Sequence, residues 1–429
     1  VRATETADAT CTSSLGTGSS ESPILIATAN DLNTCVRNYP RGAFKLTADI
    51  DLASFSNSTF NPLPAFYGHF DGNGKEIRNY TWSYVTAGSN YVGYIGFFRS
   101  LQLHSIVKNL TLRSISITGA NSIIGTASVP GSATVGVLAG YSRGAIVYQV
   151  QVHSAMVTNC RRNCGGFIGS ITHPSYSNIE NDPTSSADFI DGYYDRLTGT
   201  NLSITNPFDG WGFSGGVSGG MYVTPFRISR AKVQSTISTG NGGGGILGFH
   251  YSESSASANS NLWLDQCQSS GTLSMGTAGG GAMFGGLIGS MDAGSTISNS
   301  FSTMTLSSNN TGMGGLVGNV LDSASGLTKF AIVNSYFKGS VSGSTSMGVL
   351  VGGTVAYGVR TYGGTNRLYL VQTRSISSAT PIIGSAITTG GNTNQVLSGA
   401  NFQLSTNFSS WSSPPWIISN GSEPSLVDP

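Results

Sequence analysis

Short apolar runs alternate with glycine and with Ser/Thr-rich stretches along almost the whole chain. Glycines bracket the apolar residues repeatedly: Gly93-Tyr-Ile-Gly96, Gly136-Val-Leu-Ala-Gly140, Gly166-Phe-Ile-Gly169, Gly245-Ile-Leu-Gly248, Gly286-Leu-Ile-Gly289, Gly315-Leu-Val-Gly318 and Gly348-Val-Leu-Val-Gly352. A helix loses about 1 kcal/mol per interior glycine, so the pattern predicts buried strands that turn sharply at both ends. A second element follows most copies, with apolar residues at an anchor and five positions later. The pairs are Leu110/Ile115, Val150/Ala155, Phe301/Leu306, Tyr336/Val341 and Val371/Ile376. Inward positions of one straight strand differ by an even number, so a step of five predicts strand, corner, strand, with the two sets forming neighbouring core columns. Cys267 fits the anchor less well, because its apolar partner is Leu273. Asn109, Asn299 and Asn334 stand at or just before anchors, where an amide can bond the backbone of a corner. Variable distances from glycine to anchor predict loops emerging from the edges of a coil. At about 25 residues per rung and about 4.8 Å between rungs, the coil would be roughly 70 Å long.

The ends and one interruption complete the plan. Residues 1–23 read as a polar tail and 24–45 as an N-terminal cap. Within the cap, Thr28 to Asn38 carries polar capping residues before Leu32 and Val36, a spacing that suits a short helix. Residues 46–171 and 226–400 read as solenoid, 172–225 as a long loop insertion and 401–429 as a closing segment. Asp71-Gly72 and Asn73-Gly74 are the strongest hairpin signals in the chain. The insertion gathers Glu180, Asp182, Asp188, Asp191, Asp195 and Asp209 with Tyr176, Phe189, Tyr193, Tyr194, Phe208, Trp211 and Phe213. Packed on the solenoid flank, its aromatics would be buried and its acids solvated.

Gly286-Leu-Ile-Gly289 and Gly315-Leu-Val-Gly318 resemble the GLUG motif (Gly-Leu-apolar-Gly) of a family of secreted, adhesin-like proteins. The N-terminal half is similar to the same family at Ile26-Ala-Thr-Ala-Asn-Asp-Leu32, Phe44-Lys-Leu-Thr-Ala-Asp-Ile-Asp-Leu52, Phe66-Tyr-Gly-His-Phe-Asp-Gly-Asn-Gly74 and Ile77. The end resembles the family's closing strand at Trp416-Ile-Ile-Ser-Asn-Gly-Ser-Glu-Pro-Ser-Leu426. The resemblance implies an all-β chain folded as a single right-handed parallel β-helix with a surface role, and it names no ligand.

Composition narrows the function classes. Charged residues make up 10% of the chain and the net charge is +1, which supplies no basic stripe for nucleic acid or for a polybasic membrane contact. No apolar stretch is long enough for a membrane-spanning helix. Of the five cysteines, Cys11 and Cys35 flank the first predicted strand and could be stapled, Cys160 and Cys164 are close enough for a small disulfide loop, and Cys267 reads as a buried free thiol. Zinc held by Cys160, Cys164, His153 and His173 has no familiar ligand spacing. Sequons stand at Asn57, Asn79, Asn109, Asn201, Asn309, Asn407 and Asn420, about as many as chance gives so Ser/Thr-rich a chain. Low lysine, high Ser/Thr/Gly content and paired cysteines together predict a secreted or surface-exposed protein.

No nucleophile elbow, phosphate loop or local His–acid–Ser set is present, and no cofactor is implied. Tyr176, Tyr193, Tyr194, Trp211, Asp188, Asp191 and Asp195 form the candidate surface for a partner or glycan. Acids beside aromatics also fit a glycosidase, a lyase or a calcium site, but Asp188, Asp191 and Asp195 lack the spacing and central glycine of a calcium loop. Threonines spaced by one, such as Thr303 and Thr305, do not recur regularly, which argues against an ice-binding array. The leading expectation is a non-enzymatic extracellular structural or adhesive protein, an adhesin or a filament subunit that self-associates or binds a surface protein or glycan. The alternative is a carbohydrate-active β-helix enzyme.

Overall fold

The computed structural model describes residues 11, 16–55, 60–83, 93–119, 134–160, 162–172, 192–207, 212–222, 226–251, 262–275, 283–291, 295–308, 312–320, 329–342, 347–348, 350–353, 367–371, 374–375, 388–390, 395–396, 415–417 and 425–426. Three parallel sheets coil around one apolar core, and each turn of the chain is a rung. Two short strands per rung build an eight-stranded and a nine-stranded sheet, and the longer segments build a 24-stranded sheet. The chain is a β-solenoid. Equivalent residues of successive rungs lie 20 to 50 positions apart, mostly more than the glycine spacing predicts, because loops of unequal length lie between the repeats. The twelve rungs that the long sheet stacks among the described residues accordingly span about 50 Å, against the roughly 70 Å expected.

The glycine-bounded runs are corners, not single strands. In one rung Met283–Gly285 and Ile288–Met291 belong to different sheets, while Gly286 and the buried Leu287 make the bend between them. Register aligns Gly136, Gly165, Gly215, Gly244, Gly285, Gly314 and Gly348 in one file. A second glycine follows four residues after each of these. Gly93 is outside both files, since Tyr94 and Ile95 pair with Thr134 and Val135. Steric contact explains the files. A Cβ on Gly285 would lie 1.8 Å from the Ile288 carbonyl oxygen, and one on Gly289 would lie 2.3 Å from the Gly248 carbonyl oxygen.

A left-handed residue fixes register in the long sheet. Asn109, Gln149, Arg196, Arg230, Gln266, Asn299 and Asn334 all have φ between 46° and 56°. They align rung upon rung, and the next residue points inward. The inward file is Leu110, Val150, Leu197, Ala231, Cys267, Ser300 and Ser335, each buried. Cys267 is thus a true anchor. Phe301 and Tyr336 are not: they follow the left-handed asparagine by two and sit on the outer surface. There the two rings stack at 4.8 Å, and Trp416 covers them at 6.1 and 5.8 Å. Val371 pairs with Val333, two positions short of the anchor file, and Ile376 lies outside the described residues. Ile115, Ala155 and Leu306 are buried as expected, and the half-buried Val341 packs on the core.

A second left-handed file, Asn79, Ser114, Ser154 and Asn201, marks the corner that a step of five predicts. It ends where the register shifts between Gly199 and Leu202, one residue being lost opposite Val233 and Ser235. Lys232–Thr239 runs straight, with inward residues two apart, Ala231, Val233, Ser235 and Ile237, whereas in the next rungs Gly271 takes positive φ and the strand is interrupted at 303–304 and at 338–339.

Two further expectations change. Asp71 to Gly74 is no hairpin but a bulge in the parallel strand His69–Arg78. Asn73 and Gly74 take positive φ there, and a Cβ on Gly72 would lie 2.4 Å from the Asn109 carbonyl oxygen. Residues 172–225 do not simply interrupt the coil, because Gly192–Asn206, Phe213–Gly215 and Ser218–Tyr222 form a full rung paired on both sides. That rung was masked in sequence by Ser218, which replaces an apolar residue at its corner, and by Arg196 at its left-handed position.

The N-terminal end is closed by a short helix. Thr28 Oγ1 accepts the Asp31 N–H at 3.1 Å while Asp31 accepts the Thr28 N–H at 2.9 Å, a reciprocal cap. The helix Ala29–Asp31 continues as a wider π turn through Leu32–Val36, burying Leu32, Cys35 and Val36. Near the other end, Trp416–Ile417 pairs antiparallel with Ser425–Leu426.

Candidate functional site

Side chains alternate across the long sheet, so each inward file is flanked by outward files. Ahead of the first left-handed corner, Phe70, Val107, Val147, Tyr194, Ile228, Leu264 and Ile297 face the core. The outward file beside them runs His69, Ile106, Ile146, Tyr193, Arg227, Trp263, Thr296. Trp263 is one of the most exposed large apolar side chains among the described residues, at 38%. A second outward file, two residues on, reads Asp71, Lys108, Tyr148, Asp195, Ser229, Asp265, Ser298.

The acids of this first face are held by the left-handed residues of the next rung. Asn109 donates to Asp71 at 3.1 Å, Arg230 grips Asp195 with two N–H groups, one at 2.7 Å, and Asn299 donates to Asp265 at 2.9 Å. Asp265 also accepts from Ser298 and Gln266, and Arg227 lies 3.5 Å from it. The bond to Asp195 raises the Arg230 pKa further. Burial works to lower Lys108, but Asp71 and Tyr148 outweigh it and raise its pKa. Burial, reinforced by Lys108, lowers His69. The face is thus a rigid strip with its charges paired internally and a tryptophan, a tyrosine and an arginine presented outward.

After the second corner the long sheet presents a different face. The inward file is Trp82, Ile117, Val157, Ile204, Ile237, Leu273, Leu306 and Val341. On one side of it stand Thr81, Ser116, Met156, Ser203, Thr236, Thr272, Thr305 and Ser340. On the other stand Ser83, Thr118, Thr158, Thr205, Ser238, Ser274, Ser307 and Ser342. Every position but Met156 carries a hydroxyl, and all are exposed or half-buried. Threonine pairs spaced by one do not recur, as expected, since none of these rungs has threonine at both positions, but hydroxyl residues of either type do. The recurring pair is Thr305 with Ser307, whereas Thr303 belongs to the preceding file with Gln234 and Ser270.

The predicted site residues divide. Tyr193 is on the first face. Tyr194 is wholly buried, its hydroxyl 2.7 Å from Ser142 Oγ, and burial pushes its pKa up. Asp195 is no solvated acid but the buried partner of Arg230. Alternation within a strand puts these neighbours on opposite sides. Tyr176, Asp188, Asp191 and Trp211 lie outside the described residues. Arg227 and Trp263 were missed, since only register brings them beside Tyr193. Disulfides join Cys11 to Cys35 and Cys160 to Cys164, so the second pair is not a metal-ligating set. His153 bonds Thr200 and Gln151, while His173 is outside the described residues. Among the sequons, Asn79 and Asn109 spend their amides on Asp51 and Asp71, and Asn201 is exposed. Asn57, Asn309, Asn407 and Asn420 are outside the described residues. Among the described residues no group of three His, Cys, Asp or Glu side chains could hold a metal ion, and no helix is long and apolar enough to cross a membrane.

No family model matches the chain. It is 31% identical over 173 residues to halomucin of Haloquadratum walsbyi, a stretch that covers 36% of this chain and 2% of halomucin. The chain thus spans a small fraction of that relative. A candidate immunoglobulin A1 protease of Bacteroides ovatus is similar in structure, with a TM-score of 0.45 and 17% identity over 96% of this chain and 95% of that one.

Proposed function

We propose that this chain is an extracellular, non-enzymatic adhesive element of the GLUG type that binds a neutral polysaccharide lengthwise along its first face. The observation that carries the reading is the exposed Trp263 in one outward file with Arg227 and Tyr193. Tyr193 and Trp263 stand two rungs apart, about 10 Å, close to the repeat of two sugar rings in an extended chain. Aromatic faces stack on sugar rings, and Arg227 offers several hydrogen-bond donors between them. Internal pairing of the acids leaves the strip suited to an uncharged ligand. The same pairing speaks against a glycosidase on this face, which needs an acid and a second carboxylate free to act. Two disulfides fit an oxidising, extracellular setting.

Affinity electrophoresis through gels containing soluble xylan, mannan or hydroxyethylcellulose tests the reading. Retardation of the whole chain by one of these polymers, with affinity reduced about tenfold in Trp263→Ala, is expected. Equal retardation of both proteins would remove the first face from consideration. Release of new reducing ends from the polymer would favour the carbohydrate-active enzyme instead.

A further inference from the structure

The hydroxyl face is separate from the strip that holds Trp263 and carries different chemistry. The first face mixes Arg227, Lys108, Asp195 and aromatics, whereas no charged or aromatic side chain enters either hydroxyl file between Thr81 and Ser342. Hydroxyls repeat at about 4.8 Å from rung to rung and about 6.6 Å across the strand. Both repeats are close to the spacings between oxygen rows in hexagonal ice. A hydroxyl donates one hydrogen bond and accepts two, so each can take the place of a lattice water. Branching at Cβ restricts threonine χ1 and holds its methyl and hydroxyl in fixed directions. Thr158 already donates to Thr118 along one file at 3.1 Å.

We infer that this face binds the surface of ice. An uncharged face matches a neutral lattice, because a charged side chain would impose its own tightly held hydration shell on the water layer. Parallel ladder bonds on both sides of each rung fix the spacing before ice is met, so little conformational entropy is lost on binding.

The test uses the whole chain and ice itself. Recrystallisation of ice in frozen sucrose solution is followed by microscopy, with fluorescently labelled protein on a single ice hemisphere to register plane binding. The wild type should arrest crystal coarsening and label a defined plane. Thr236→Tyr with Thr272→Tyr puts two rings on the array at exposed positions and should raise the arresting concentration at least tenfold, with an unchanged circular dichroism spectrum. Gln151→Tyr, exposed between the two corners, should behave as wild type. Coarsening as fast as with an ordinary globular protein, or full activity in the double variant, would overturn the inference. Retention on crystalline cellulose or chitin that the double variant loses and Trp263→Ala keeps, without an effect on ice, would overturn it too and would assign the face to a polysaccharide.

Discussion

His250 lies wholly inside the coil, in register with Met221 of the preceding rung, and its Nδ1 is 3.2 Å from Ser295 Oγ. Burial lowers its pKa to about 4 from 6.5, so the ring is neutral near pH 7. On acidification the unfolded chain takes up this proton first. Stability should fall as pH drops from 6.5 towards 4, by about 3 kcal/mol when both states are protonated. Urea unfolding at pH 7 and pH 4.5 should show that loss in the wild type and a smaller one in His250→Gln. Some loss persists in the variant because burial also lowers His69 and His153. Asp51, held at about 2 chiefly by its bond from Asn79, acts in a lower window. Its contribution is complete above 3.8 and is lost as pH falls through 2, so it does not blur the histidine signal. Cys267 is the opposite extreme of an internal group: burial pushes its thiol up to about 12, which leaves it inert.

At the scale of the element, corners decide the fold. Gly285→Ala should cost at least 2–3 kcal/mol, because its methyl would meet backbone and not a side chain that can swing away. Limited proteolysis should then cut near this rung while spectroscopic β content elsewhere persists. The place of these corners was legible in the repeated glycines, but the apolar run between them reads as a strand where the structure makes the bend; Leu110, Val150, Ile115 and Ala155 did announce the core. The other corner signal was only half legible. Asn109, Asn299 and Asn334 are residue types that tolerate positive φ, but Gln149, Arg196, Arg230 and Gln266 hold the same conformation because the ladder on either side imposes it. Phe301 and Tyr336 misled for a related reason. An apolar residue normally marks the interior, yet these two are covered on the outside by Trp416, a contact spanning far too much sequence to be read locally. The same limit hid Arg227 and Trp263, whose juxtaposition with Tyr193 depends on loops of unequal length.

On the scale of the whole molecule, each rung touches mainly its neighbours, so stability is local and additive along the axis. The disulfide between Cys11 and Cys35 closes a loop with a sequence separation of 24 and ties the N-terminal residues to the capping helix. Its reduction should cost about 3 kcal/mol, confined to the first rungs. Hydrogen exchange after reduction should show lost protection around Phe44 and Ile77, and unchanged protection around Ile237 and Leu273. The left-handed file has a wider consequence. One backbone torsion per turn acts as an index mark, and the chain between two marks can lengthen or shorten without the stack slipping. A duplication running from one mark to the next would add a complete step to every surface at once: one more anchor, one more position along the tryptophan strip, one more pair of hydroxyls. Growth of such a gene lengthens the molecule's reach while leaving the chemistry of each step as it was.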